Sequence, residues 1–306
     1  MIRRAAAFAA AAIMLLTGCA ERSSEPVTAQ PPFWVVENKD TGAVLYMLGT
    51  MHVGEKGIVY PEYVTAAFDC CDIVAVELDT EHISEDEALS ASALLLMPDG
   101  AAAKECFGEH YDEVVAFLKE KGVYHISMEI FIPYYWGTAL TMLIAEDCGL
   151  SSEYGTEAIF IDMAWDQKKQ IVEIESLSEQ YAMMADIPVS VQVDTVLSGI
   201  GEENYAMQVE ATRAMYEDWL RFDTEGLESL NDEMEGASEE LDEDYELFND
   251  MMYIDRQKKM AEFAESCLQS GEKVFMMVGA AHFYIEEDII TLLEDSGYTV
   301  REIRAE

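Results

Sequence analysis

Three short runs of uninterrupted apolar residues, Val44–Leu48, Ile73–Val76 and Val274–Val278, punctuate a chain whose middle repeats in helical rhythm. Runs of this length, each closed by polar or glycine residues, suit strands covered on both faces by helices. Between the first two, Pro61 to Phe68 reads as a crossover helix that begins at a proline, which makes those two strands parallel. In the middle, Asp112 to Lys121 places Val114, Val115, Phe117 and Leu118 on one side and ends at Gly122, where a cap belongs. The same spacing predicts helices over Pro133–Asp147, Glu203–Leu220 and Tyr253–Leu268. The pattern is that of a single α/β domain over residues 33–306, with flanking helices and a large helical middle.

Before that domain the pattern changes. Arg3 and Arg4 precede an apolar run, Ala5 to Leu16, that is shorter than the roughly 20 residues needed to span a bilayer, so residues 1–18 read as a signal peptide. The run closes on Leu16-Thr17-Gly18-Cys19, which resembles a bacterial lipobox, with Cys19 as the lipidated new N-terminus; the alternative is ordinary cleavage near Ala20. Residues 19–32 are polar and proline-bearing and read as a flexible stalk. The expected location is extracytoplasmic, tethered by lipid to a bacterial membrane.

Charge narrows the partners. With 61 acidic against 18 basic residues the net charge is −43, which argues against nucleic acid as a partner, because that needs basic patches. The acids concentrate between Gly226 and Met252, a segment read as solvated; its spacing is not that of an EF-hand loop. Beyond Cys19 the cysteines are Cys70, Cys71, Cys106, Cys148 and Cys267, which form no zinc-ribbon or Cys-x-x-Cys pattern. A Cys106–Cys148 disulfide is permitted outside the cytoplasm.

Candidate chemistry lies at the strand ends. The first and last apolar strands both finish in Gly-x-x-His, as Gly49-Thr50-Met51-His52 and Gly279-Ala280-Ala281-His282. A third instance, Gly122 to His125, follows a helix cap instead of a strand and reads as structural. A glycine at a strand end lets the chain turn sharply, so that the histidine hangs over the carboxyl edge of the sheet, where open α/β sheets bind ligands. The second strand delivers Glu77 to the same edge, and period-two alternation puts Asp79 on the same face if the strand continues. Two imidazoles and a carboxylate are a donor set for a divalent metal with open positions. The plainer alternative is that both histidines only cap the turns that follow them.

These residues, with Phe33-Trp34, Leu48 to His52, Val76-Glu77-Leu78-Asp79, Gln170 to Ser176, Gln180, Trp219, Asp223, Arg256, Val278 to His282 and Gly297 to Val300, make the chain resemble the TraB/GumN family. That family includes the TIKI metalloproteases of animals and bacterial proteins that inhibit peptide pheromones. The resemblance implies a mixed α/β fold related to the erythromycin-esterase-like group, with the paired Gly-x-x-His turns and the strand glutamate as its site. It implies a metal-dependent hydrolase of extracytoplasmic peptides or proteins, with His52, Glu77 and His282 as ligands of manganese, cobalt or zinc. Glu77 then serves as third ligand or as base for a bound water. Arg256 steadies developing negative charge or else pairs at the surface with Asp255 or Glu262; Asp79 and Glu175 are candidate substrate-binding residues. The other branch implies a lipoprotein that sequesters a peptide or masks a receptor without turnover, and the related fold offers, by analogy, a histidine esterase without metal. This chain departs from the family in having Gly155-Thr156-Glu157 for Gly-x-Asp and Arg256-Gln257 for Arg-Asn. It has Ile285-Glu286-Glu287-Asp288 where glycines follow the second histidine, which either crowds a substrate backbone or adds carboxylates to the site.

If Cys19 carries the lipid, Cys19→Ala abolishes incorporation of labelled acyl chains at the amino end. Continued labelling of the variant would refute the anchor.

Overall fold

The structure, a computed structural model, describes residues 27–98, 101–223, 226 and 241–304. The expected signal peptide, Cys19 and the first part of the acidic stretch, including Glu239 and Glu240, lie outside the described residues. Six strands form one mixed sheet: β1 (Phe33–Asn38), β2 (Ala43–Thr50), β3 (Ile73–Val76), β4 (Gln170–Glu173), β5 (Lys273–Gly279) and β6 (Val300–Glu302), in the order β4-β3-β5-β2-β1-β6. The three apolar runs are β2, β3 and β5, the central parallel strands, and every residue from Val274 to Val278 is buried. β2 and β3 are parallel, as the short crossover demands, with β5 inserted between them.

This order follows from handedness and burial. The helix Glu62–Asp69 carries the chain from β2 to β3 in one direction across the sheet, and the helix Asp255–Ser270 leads back from the β4 side into β5. Right-handed crossovers in opposite directions place their helices on opposite faces. Phe68 and Phe160 accordingly meet the ring of Phe275 at 5.4 and 5.6 Å between centroids, while the helix Asp255–Ser270 packs on β1 and β2. Wrapped on both sides, the central strands have no use for alternation, hence their unbroken apolar sequence.

The helical middle builds a second core. Helices Tyr111–Glu120, Pro133–Asp147 and Glu202–Arg221 match their predicted spans to within a residue or two, and Trp136, wholly buried, centres the packing of the first two with Phe107. The helix predicted from Tyr253 begins at Asp255, because a π-helical turn, Asp250–Ile254, joins it to the helix Asp242–Asn249. A third apolar cluster, including Leu78, Tyr134, Leu177, Met252, Tyr253 and Ile285, joins this middle to the sheet's carboxyl edge.

Two expectations change. The five described cysteines are free thiols, and Cys148 donates to the Val209 carbonyl at 3.2 Å, so the permitted Cys106–Cys148 bridge does not form. Residues 27–32 lie against the body: Thr28 bridges to Val59, and the Gln30 amide donates to the Leu220 carbonyl at 2.7 Å. Among the described residues no helix is long and apolar enough to cross a membrane.

The loop after β2 is held by close backbone approach. Gly54 exchanges hydrogen bonds with Ser151, and the Thr156 amide donates to the Met51 carbonyl at 2.9 Å. A side chain at Gly155 would run into the His52 carbonyl oxygen. Gly155→Ala therefore forces the two segments apart and costs about 1–3 kcal/mol, the usual range for overpacking. A fall in melting temperature measures this; an unchanged value would show that the contact yields freely.

Candidate functional site at the carboxyl edge

Because β3, β5 and β2 are neighbours running the same way, the residues just beyond their ends converge. Glu77 follows β3, and hydrogen bonds from Ile174 N to Val76 O and from Glu175 N to Glu77 O, at 2.8 and 3.0 Å, continue the β3–β4 ladder to Glu175. Gly279 ends β5, and the turn Ala280–Phe283 buries His282. Beyond β2, Trp219 Nε1 donates to the Gly49 carbonyl at 2.9 Å and braces the turn that presents His52.

Glu77 is the hub. Its Oε1 accepts from the Gly279 amide at 2.5 Å and lies 3.9 Å from His282 Nε2; its Oε2 accepts from Arg256 Nη2 at 2.5 Å. Arg256 reaches over from the helix Asp255–Ser270 and also grips Glu175, donating through Nε and Nη2 at 2.7–3.1 Å. Its partners are thus two buried glutamates, which decides against a surface pair with Asp255 or Glu262. Gln180 Nε2 holds the far side of Glu175 at 2.9 Å. Gly279 keeps the centre open: a Cβ there would stand 3.3 Å from Glu77 Oε1 and 3.8 Å from both His282 Cδ2 and His52 Nε2.

His52 is oriented from behind. Its Nδ1 lies 3.0 Å from Glu157 Oε1, which also accepts from the Thr50 hydroxyl. Neighbouring Thr156 ties the start of this helix to the loop, its hydroxyl accepting from the Met51 amide at 3.2 Å and from Tyr60 Oη at 3.1 Å. Sequence reasoning noticed Glu157 only as a departure from the family's aspartate. Its signal was a carboxylate in the first turn of an otherwise apolar helix, Thr156–Gln167, whose partner is far away in the chain.

The charges shape each group differently. Burial works against an imidazolium at His52, yet the Glu157 carboxylate, its hydrogen bond and Glu77 outweigh it and push the pKa up to about 9. For His282 burial prevails, supported by Arg256, and the pKa falls to about 3, so that ring is neutral. Burial alone would raise Glu77; Arg256, the two histidines and the Gly279 amide reverse that and hold it well below the usual carboxylate range. Burial also pushes the Tyr253 phenol, beside Arg256 and Glu77, up to about 12.

Two expected residues behave otherwise. β3 ends at Val76, so alternation does not carry on to Asp79. The Asp79 carboxylate accepts from Trp165 Nε1 and meets His82 Nδ1, each at 3.0 Å, and serves the neighbouring loop. Glu175 reaches the site but is engaged by Arg256 and Gln180. His125 caps its own turn, accepting from the Ser127 amide at 3.3 Å, as its helix-cap setting suggested. In the segment where the resemblance implies glycines, Glu287 adopts φ +56°, a left-handed conformation that suits glycine. It pairs with Lys258 at 2.8 Å, and Asp288 caps the next helix by accepting from Ile290 and Thr291, so neither adds a carboxylate to the site.

The profile described as the TraB/PrgY/gumN family matches residues 32–302, a span that contains every group named at this edge. No curated protein and no solved structure matches the chain.

The His52–Glu157 pair gives a signed prediction. A pKa raised above the unfolded value of about 6.5 contributes stability that is complete below that pH and is lost as pH climbs toward 9. Glu157→Gln removes the charge, so His52 followed by NMR titrates lower than in the wild type and the variant loses that part of the alkaline decline in stability. Identical His52 titrations would show that Glu157 is not the cause.

Proposed function

The chain belongs to the TraB/PrgY/gumN family, and on that premise we propose that it is a metal-dependent hydrolase of extracytoplasmic peptides, held at a membrane by lipid on Cys19. The observation that carries this reading is the convergence of His52, Glu77 and His282 on the space above Gly279. The donor set fits a divalent cation in kind. Three buried carboxylates stand at this edge with one fixed cation, Arg256, which pairs with Glu77 and Glu175 while Glu157 stands behind His52. His282 Nδ1 and Glu157 Oε2 are buried with no partner. A carboxylate behind His52 is the usual support of a ligating histidine. Among the described residues no three such side chains already stand at ligand spacing, and both Glu77 oxygens are engaged, so loading requires Glu77 to exchange one partner.

A bound divalent ion supplies a polarised substrate carbonyl and a more acidic water. The protein's own groups do the rest. Glu157 keeps His52 Nε2 turned toward the centre, Arg256 steadies the negative charge at Glu77, and Glu77, once one oxygen is free, takes the proton of the attacking water and returns it to the leaving amine. A second reading is favoured by the engagement of Glu77 in the structure as it stands: the same edge sequesters a peptide without turnover. Incubation with a mixed peptide library and manganese, cobalt or zinc, followed by mass spectrometry, separates the two, since only the hydrolase yields cut products.

Metal uptake itself is measurable by calorimetry. The wild type should bind one ion per chain and, because His52 is protonated near pH 7.5, release about one proton on binding. His52→Ala and His282→Ala should each abolish uptake with secondary structure intact. Equal uptake by all three proteins would sink the shared site.

A further inference from the structure

The π-helical turn Asp250–Ile254 sits immediately ahead of Arg256 and brings Tyr253 to the same centre. Tyr253 is 4% exposed, and its ring lies 5.9 Å from that of His282 at an interplanar angle of 56°. Buried tyrosines almost always spend their hydroxyl on a protein partner. Here buried Tyr60 and Tyr205 and half-buried Tyr111, Tyr124 and Tyr245 do so, whereas the hydroxyls of Tyr63 and Tyr181 have no partner among the described residues, and neither ring is paired with a histidine of the site. The Tyr253 hydroxyl bonds to no group among the described residues and, unlike His282 Nδ1 and Gln257 Oε1, it is not sealed from solvent. A π-helical turn has poorer hydrogen-bond geometry than an α-helical one and recurs at functional positions. Packing alone explains the ring but leaves the hydroxyl without a use.

We propose that Tyr253 is a catalytic residue whose hydroxyl donates to the substrate carbonyl oxygen as negative charge develops on it. The inference rests on the hydrolase reading and adds to it the oxyanion donor which that reading lacks, since Arg256 is already clamped by two carboxylates. When the water oxygen bonds to the carbonyl carbon, the carbonyl π pair moves onto the oxygen facing Tyr253. The phenol donates its hydrogen bond without giving up its proton. When the pair returns, the C–N bond breaks, and the amine leaves with the proton taken from the water.

Tyr253→Phe keeps the ring against His282 and removes only the O–H. With manganese present, the full-length variant should bind a phosphinic dipeptide, whose tetrahedral anion imitates the charged oxygen, about tenfold or more weakly than the wild type. On any peptide the wild type cleaves, kcat should fall about 100-fold with KM little changed, the size expected for losing one such donor. Melting temperature and manganese affinity should be unaltered, because no protein hydrogen bond is lost. Equal phosphinate affinity in the two proteins, binding to neither, or a lowered melting temperature that reveals a hidden protein partner would overturn the assignment. A wild type that cleaves nothing would defeat the hydrolase reading alone, and the two phosphinate affinities would still decide the role of Tyr253.

Discussion

Arg256 lies between Glu77 and Glu175, and the carboxyl edge of the sheet is organised around that ion triad. Each glutamate follows the end of a parallel strand and is buried, a position in which an ionised carboxylate is tolerated only with a cation and further donors. Arg256 supplies the cation, while the Gly279 amide and Gln180 supply the donors. Losing one member of such a buried set costs about 3–5 kcal/mol, because the charge left behind has no partner. The triad thus locks β3, β4 and the helix Asp255–Ser270 into one arrangement and keeps Glu77 ionised.

That arrangement has a consequence for chemistry. A glutamate held by an arginine and a backbone amide is charged but a weak base, and a histidine held by a glutamate is a cation near neutral pH. A divalent ion held by His52, Glu77 and His282, as proposed, would reverse both conditions, because Glu77 would exchange a partner and His52 would lose its proton. The neutral, buried His282 is already in the form a ligand must take. The excess of buried carboxylate over fixed cation is balanced by the proton on His52, the charge that a proposed metal would replace.

The helical middle contributes more than bulk. Its apolar cluster around Leu177, Met252 and Ile285 forms the wall against which Arg256 and Tyr253 are set. The π-helical turn in that wall interrupts the 3.6-residue rhythm just before Arg256. On the other side, Gly155 lets two backbones touch, which brings Glu157 behind His52. Segments from the sheet core and from the cluster around Leu177 thus meet at one strand edge.

Local pattern was enough to determine the three central strands, the crossover helix and the main helices, because unbroken apolar runs and helical spacing report which faces of a segment are buried. The paired Gly-x-x-His endings likewise marked His52 and His282, since a glycine at a strand end and its following histidine are fixed by the backbone alone. Tertiary structure decided the remainder. Insertion of β5 between β2 and β3 made neighbours of motifs from opposite ends of the chain, and strand order reflects burial of the whole sheet, on which no single segment carries information. It also paired Arg256 with two glutamates, gave His52 its Glu157, turned Asp79 away toward Trp165 and brought Tyr253 beside His282. These are contacts between charged or polar side chains distant in sequence, and what selects them is desolvation in the folded interior, which a linear pattern of polarity does not contain.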